Sequence, residues 1–263
     1  MTMRLLQVAL VLLIGAVVTN LPAQQPAGPP AKKIGQVLMD FRLDRPVSSV
    51  RIPAATQRAV LSKMFRRYLT DENKCNRDFA TNSDDYLKAA RNAGLIVPSI
   101  VDSATGSFTA SGQTQTAYLV SVSECNASHA DNFGTKRLAI FSGQQMVTDV
   151  DVDFKSSIIR KTDLDGDGVD ELLMTSGDMN QGTVTEMGGL LEFRNGRMRV
   201  IEDLGTVYED SCGSGMAGST AQAVVVTVQS AAPGHMPKLK IDNYEAGCRK
   251  NKRWRFVSTG KRQ

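Results

Sequence analysis

Two periodicities divide the chain. After Pro53, the apolar residues Val60, Leu61, Met64, Phe65, Tyr68 and Leu69 recur at helical spacing, while Arg58, Lys63, Arg66 and Arg67 take the opposite face. That pattern predicts an amphipathic helix whose basic side is a solvated face. A second helix is expected from Ser83, a suitable N-cap, through Asp84 and Asp85 at its positive end to Gly94, with Pro98 beyond. Ahead of both, Val37, Met39, Phe41 and Leu43 alternate as in a strand, although Leu38 interrupts the pattern. From Gly106 onward, short apolar runs separated by Gly, Asn, Asp and Ser predict consecutive antiparallel strands.

The β region repeats itself. Ala117-Tyr118-Leu119-Val120-Ser121-Val122, Glu171-Leu172-Leu173-Met174-Thr175 and Ala223-Val224-Val225-Val226-Thr227-Val228 recur about every fifty residues. Between them, Leu138, Phe141 and Met146 correspond to Leu190, Phe193 and Met198, with turns at Ser142-Gly143 and Asn195-Gly196. Units of this length suit propeller-like antiparallel hairpins. Three are too few to close a ring alone, since propellers typically have about four to eight blades. The expected class is therefore α+β, mostly β, with a two-helix region in front. The expected divisions are 1–23, a signal peptide; 24–33, a Pro-rich linker; 34–105, a helical N-terminal region; and 106–260, a β-rich propeller-like domain.

One stretch carries chemistry. In Asp163-Leu164-Asp165-Gly166-Asp167-Gly168-Val169-Asp170-Glu171, acidic residues recur at alternate positions and two glycines supply bends. A hard cation such as Ca2+ takes about six to eight oxygen ligands, and a loop of this length can curl round it to provide them. Asp163, Asp165 and Asp167 bring carboxylates, Val169 its carbonyl and Glu171 a further carboxylate, while Asp170 points away. The position where an EF-hand requires a bidentate Glu is Met174, and the flanks read as strands. The plain alternative is an acidic turn.

These residues resemble the FG-GAP and VCBS repeat families, whose nine-residue D-x-D-x-D-G-x-x-[DE] loop joins two strands of a propeller blade. The match is strict from 163 to 173; Phe154 is followed by Lys155 rather than Gly, and Met174-Thr175-Ser176-Gly177 replaces the usual Gly-Ala-Pro. The resemblance implies that Asp163, Asp165, Asp167, Val169 and Glu171 are Ca2+ ligands.

Composition adds a compartment. Arg4 followed by the apolar run Leu5 to Val18 and by Leu21-Pro22-Ala23 reads as a secretory signal peptide, too short in its apolar part to span a membrane. A membrane role enters only if this segment is kept. The formal charge of +4 becomes about +3 once Arg4 is removed, which gives no reason to expect nucleic acid as a partner. Four cysteines in an exported chain favour disulfides, with three pairings open. Cys212 with Cys248 and Cys75 with Cys125 are favoured, because residues 212–248 read as two strands returning to the same end.

Other constellations weigh less. Asp149, Asp151 and Asp153 share one strand face and could hold a second cation, or be balanced by Lys136, Arg137, Arg160 and Lys161. Gly213-Ser214-Gly215-Met216-Ala217-Gly218 fits G-x-G-x-x-G, but a strand follows it and no dinucleotide is expected. Cys125 and His129 have a zinc-like spacing without a second pair, and Asn126-Ala127-Ser128 is a glycosylation triplet. Seven basic residues surround Trp254, either as a solvated edge or as a patch for an anionic envelope polymer. The expectation is an exported, secreted or periplasmic, calcium-binding module that binds or scaffolds a protein or envelope polymer without catalysis. The alternative is a secreted hydrolase whose carboxylates leave no linear signature.

Overall fold

In a computed structural model, the protein is described over residues 35–43, 51–65, 98–121, 136–152, 157–194, 196–230 and 235–262. It is mostly β, built of antiparallel sheets. Strands β2 (Ser99–Gly106), β3 (Gln115–Ser121), β4 (Lys136–Ser142) and β5 (Gln145–Asp151) form a four-stranded meander. A longer sheet runs through β6 (Ser157–Thr162), β7 (Glu171–Asn180), β8 (Thr183–Arg194), β9 (Arg197–Asp210), β10 (Thr220–Ser230), β11 (Lys238–Gly247) and β12 (Arg255–Thr259) in sequence order. β1 (Val37–Asp40) joins it by pairing with β10. The first helix forms in part, as α1 over Ala54–Met64; Phe65 is its non-helical C-cap, and Tyr68 and Leu69 of the expected stretch lie outside the described residues.

Alternation explains the layers, because successive side chains of a strand point to opposite faces. In β7, Leu172 and Met174 face the four-stranded sheet and meet Ala117, Leu119, Leu138 and Ile140. Leu173 faces the other way, into a second core with Leu190, Leu204, Val207, Val224, Val226 and Ile241. β4 is buried on both faces as well. Its Leu138 and Ile140 meet the long sheet, while Ala139 and Phe141 lie under Val60 and Leu61 of α1. Helix, short sheet and long sheet thus form successive layers, and the central strands read as continuous apolar runs because both faces are covered.

The repeated runs became β3, β7 and β10, but they did not become separate blades. β9 continues to Asp210 and pairs there with β10 (Ala221↔Asp210, Ala223↔Tyr208), so the second and third hairpin units share one sheet. Bulges at Glu186/Met187, Gly188/Gly189 and Leu190/Leu191 bend the β8–β9 ribbon, as an extra residue in one strand does. The N–H of Thr206 donates to the carbonyl of Arg262 at 3.3 Å, bringing the chain end beyond β12 back against β9. The expectation of about three propeller-like units is corrected to two sheets, one of them continuous. Strand pairing across unit boundaries decided this, and no repeat pattern records it.

The helix pair is not seen among the described residues; the second helix expected over 83–94 lies outside them, as do the signal peptide, the linker, Asp153, Cys75, Cys125, Asn126 and His129. β1 forms where the alternation from Val37 predicted a strand, whereas β2 begins at Ser99, inside the stretch 34–105 read as helical and ahead of Gly106. No helix among the described residues is long and apolar enough to cross a membrane.

Cys212 and Cys248 are bonded, with a sequence separation of 36. They tie the start of the β9–β10 connection to the end of β11, the strand that pairs with β10. In the chain-entropy model a loop of that length contributes about 4 kcal/mol, and typical removals cost about 2 to 4. We expect the double variant Cys212→Ser/Cys248→Ser to lose stability in that range by urea titration. An unchanged midpoint would show that the bridge adds nothing the sheet does not already supply.

Candidate metal centre

The acidic loop is the connection between β6 and β7, bounded by the pair Thr162↔Glu171. Its fold is set by its own side chains. Asp163 accepts the N–H groups of Gly166 (2.7 Å) and Gly168 (3.0 Å), Asp165 that of Asp167 (3.1 Å), and Asp167 that of Val169 (2.8 Å). Gly166 and Gly168 have φ of 81° and 85°, the left-handed region in which side chains with a Cβ are strained. At Gly168 there is a further reason for glycine. A Cβ there would lie 2.1 Å from the Ser111 hydroxyl oxygen in the β2–β3 turn.

The expected ligands are brought together in part. One carboxylate oxygen each from Asp163, Asp165 and Asp167 lie within 4.8 Å of one another. Glu171 stands beside them, and with Asp167 and Val169 it lines a cleft of about 290 Å³. Glu171 is 1% exposed; its Oε2 accepts the Leu164 N–H at 2.7 Å, and its Oε1 has no hydrogen-bond or ion-pair partner among the described residues. Burial, together with the neighbouring Asp165, Asp163 and Asp167 charges, pushes its carboxyl up to about 8. Burial likewise raises Asp165. Three converging carboxylates beside a fourth acidic side chain that lines the same cleft are a donor set that a hard divalent cation fits. The same residues would hold it.

Asp170 points away, as the alternation requires, and does a second job. Its Oδ2 accepts the Ser107 N–H at 2.8 Å, its own N–H donates to the Ser107 carbonyl at 2.6 Å, and Lys161 Nζ stands 3.4 Å from the same carboxylate. Asp102 makes a parallel clamp from β2, accepting the Ile158 N–H of β6 at 2.8 Å. Carboxylates therefore stitch the two sheets together along β2 and β6, with the acidic loop as one of the stitches.

Three neighbours were not legible beforehand. Glu192 of β8 is 2% exposed and lines the same cleft. It lies one step beyond the registered pair Leu172↔Leu191, across from Glu171. Arg199 donates to it from Nε at 2.8 Å, and Arg194 Nε stands 3.3 Å from its other oxygen. Arg194 Nη2 also reaches Asp165 (3.4 Å) and Asp167 (3.3 Å). A charged residue inside the run Gly189-Leu190-Leu191-Glu192-Phe193 was a visible anomaly, but only the β7–β8 register says what it faces.

The other candidates resolve structurally. Arg137 pairs with Asp149 at 2.9 Å and Asp151 at 3.6 Å, so those strand carboxylates have their counter-ion across the β4–β5 ladder. Of the seven basic residues around Trp254, Lys252 pairs with Asp210, Arg255 with Glu245, Lys261 with Glu202 and Arg262 with Glu209. The G-x-G-x-x-G stretch makes a 3-10 turn over Cys212–Ser214 and leads into β10 with no helix. His235 is exposed.

Two outcomes follow from this geometry. Asp170→Ala removes a charged acceptor and strands the Ser107 N–H, and we expect a loss of about 1 to 3 kcal/mol by denaturant titration; no loss would mean the sheets dock without it. For pH, Glu171 holds its proton more tightly when folded than when unfolded. Between its ordinary value near 4.5 and about 8 the native state binds the extra proton, so stability in EDTA falls as pH rises through that window. Asp40 and Asp242, lowered by the Arg42 and Lys240 side chains respectively against their own burial, act only at the acid end. Glu171→Gln is expected to flatten the melting temperature between pH 5 and about 8; a slope that persists in the variant assigns the effect to another group.

Comparison of the chain with protein-family models, with curated proteins and with solved structures returned no match.

Proposed function

We propose that this is an exported calcium-binding module in which the ion fixes the β6–β7 turn and so the docking of the two sheets, presenting them to a protein or envelope-polymer partner without catalysis. The observation that carries the reading is the convergence of the Asp163, Asp165 and Asp167 oxygens beside the nearly buried Glu171, whose second oxygen faces the cleft without a hydrogen-bond partner among the described residues. Asp163, Asp165, Asp167, the Val169 carbonyl and Glu171 are the proposed Ca2+ ligands. A bound calcium would supply positive charge where the Asp163, Asp165 and Asp167 carboxylates converge beside Glu171, and the chain supplies the turn that aims them.

Export is supported by the N-terminal pattern of Arg4, an apolar run and Leu21-Pro22-Ala23. The Cys212–Cys248 bond fits an oxidising, non-cytoplasmic compartment. The resemblance to FG-GAP and VCBS loops supports calcium over a smaller ion, because Mg2+ demands near-ideal octahedral geometry and keeps several waters.

A secreted hydrolase is the second reading, favoured by one observation, the cleft that holds both Glu171 and Glu192. Against it, each Glu192 oxygen has a guanidinium partner, Arg199 on one and Arg194 on the other. Turnover of a glycoside or ester substrate that vanished in Glu192→Gln, with the melting temperature retained, would reverse the preference.

The calcium reading has a thermal signature. Four acidic ligands make a dissociation constant on the order of 10⁻⁵ M plausible for such a loop. Millimolar Ca2+ would then add about 2.7 kcal/mol to the folded state and raise the melting temperature by about 5 to 11 °C. Asp165→Ala or Asp167→Ala should abolish most of the rise while hardly changing stability in EDTA, since each also relieves repulsion. Glu171→Gln should weaken binding less. Identical melting curves in Ca2+ and EDTA, with no binding heat, would reduce the loop to an acidic turn.

A further inference from the structure

Arg194 ends β8 beside the acidic loop, and its position bears on how that loop takes up an ion. A single nitrogen, Nη2, stands 3.4 Å from Asp165 Oδ2 and 3.3 Å from Asp167 Oδ2, while Nε stands 3.3 Å from Glu192 Oε2. The guanidinium is therefore shared between the middle of the loop and a buried carboxylate on its own strand. Its side chain is 55% exposed, whereas those of Asp165 and Glu192 are 5% and 3% exposed. Asp165 and Glu192 are held, while Arg194 and, at 36%, Asp167 are the exposed members of the cluster.

We infer that Arg194 is a built-in competitor for the loop: its guanidinium and a divalent ion contend for the same Asp165 and Asp167 oxygens, and ion binding hands Arg194 over to Glu192. This rests on the reading of the loop as a calcium site. Two cations cannot both approach one oxygen pair without strong mutual repulsion, so whichever is bound excludes the other. The transfer needs no long excursion, because Nε already lies beside Glu192. Arg199, which also pairs with Glu192, makes no ion pair with Asp165 or Asp167 among the described residues. The two arginines thus separate contact from charge: both are cations of the same cluster, but only one touches the proposed ligands. The device sets affinity, keeping the loop from closing on scarce calcium and partly neutralising it meanwhile.

The test is calorimetric titration of the full chain with CaCl2, comparing wild type, Arg194→Gln and Arg199→Gln. Releasing two part-exposed ion pairs should tighten binding about three- to tenfold in Arg194→Gln. Arg199→Gln should stay within about twofold of wild type, which is the range of a charge acting at a distance. Arg194→Gln should also melt lower than wild type in EDTA and at the wild-type temperature in millimolar Ca2+. Unchanged or weaker affinity in Arg194→Gln, or equal tightening in both variants, overturns the competition while leaving the calcium site standing. No binding by any of the three proteins overturns the calcium reading and the competition together.

Discussion

Electrostatic repulsion confined to one turn is the constraint on which the rest of this structure depends. Asp163, Asp165 and Asp167 are drawn together, with Glu171 close enough to feel their charge, by a chain that reverses between β6 and β7, and the reversal lies at the seam of two sheets. Bulk water reaches Glu171 poorly, since it is 1% exposed. Protonation, a guanidinium or a divalent cation are ways to neutralise such a group. The carboxyl is shifted toward holding its proton, Arg194 leans on Asp165 and Asp167, and one oxygen each of Asp163, Asp165 and Asp167 lies within 4.8 Å of the others.

The turn is coupled to the fold because acidic residues alternate through it. Glu171 faces the cleft, and the preceding residue, Asp170, faces the opposite way to bind both the N–H and, through its backbone, the carbonyl of Ser107. Whatever fixes one side of the turn fixes the other. Ser111, packed against Gly168, adds a steric version of the same link. Loop closure and sheet docking are thus one event, which gives the proposed ion a structural task out of proportion to the nine residues that hold it.

The rest of the molecule supplies a rigid frame. β7 and β8 are covered on both faces, by the four-stranded sheet on one and by the β9–β11 core on the other. Glu192 sits at the edge of this frame as a buried charge that pairs with Arg194 and Arg199 rather than facing Glu171 uncompensated. The basic C-terminal stretch is tied down in the same manner. Four of its cations pair with carboxylates on β9, β11 and the β9 terminus, which explains a charged edge without invoking a partner for it.

The sequence by itself determined what is local. Helical spacing located α1, period-two alternation and turn residues located β3, β7 and β10, and the D-x-D-x-D-G pattern placed the carboxylates and the positive-φ glycines of the loop. Each of these is fixed by neighbours a few residues away, so linear spacing carries the information. The Cys212–Cys248 pairing was also legible, because the intervening segment is a local β10–β11 hairpin. Only the tertiary structure decided how units join. The repeat suggested separate propeller-like blades, yet β9 pairs with β10 and merges two units into one sheet, since hydrogen bonding between strands depends on their placement and leaves no mark in either strand's own pattern. For the same reason the partners of the loop were hidden: Glu192 reaches Glu171 through strand register, Arg194 reaches Asp165 across 29 residues of chain, and Ser107 reaches Asp170 across 63.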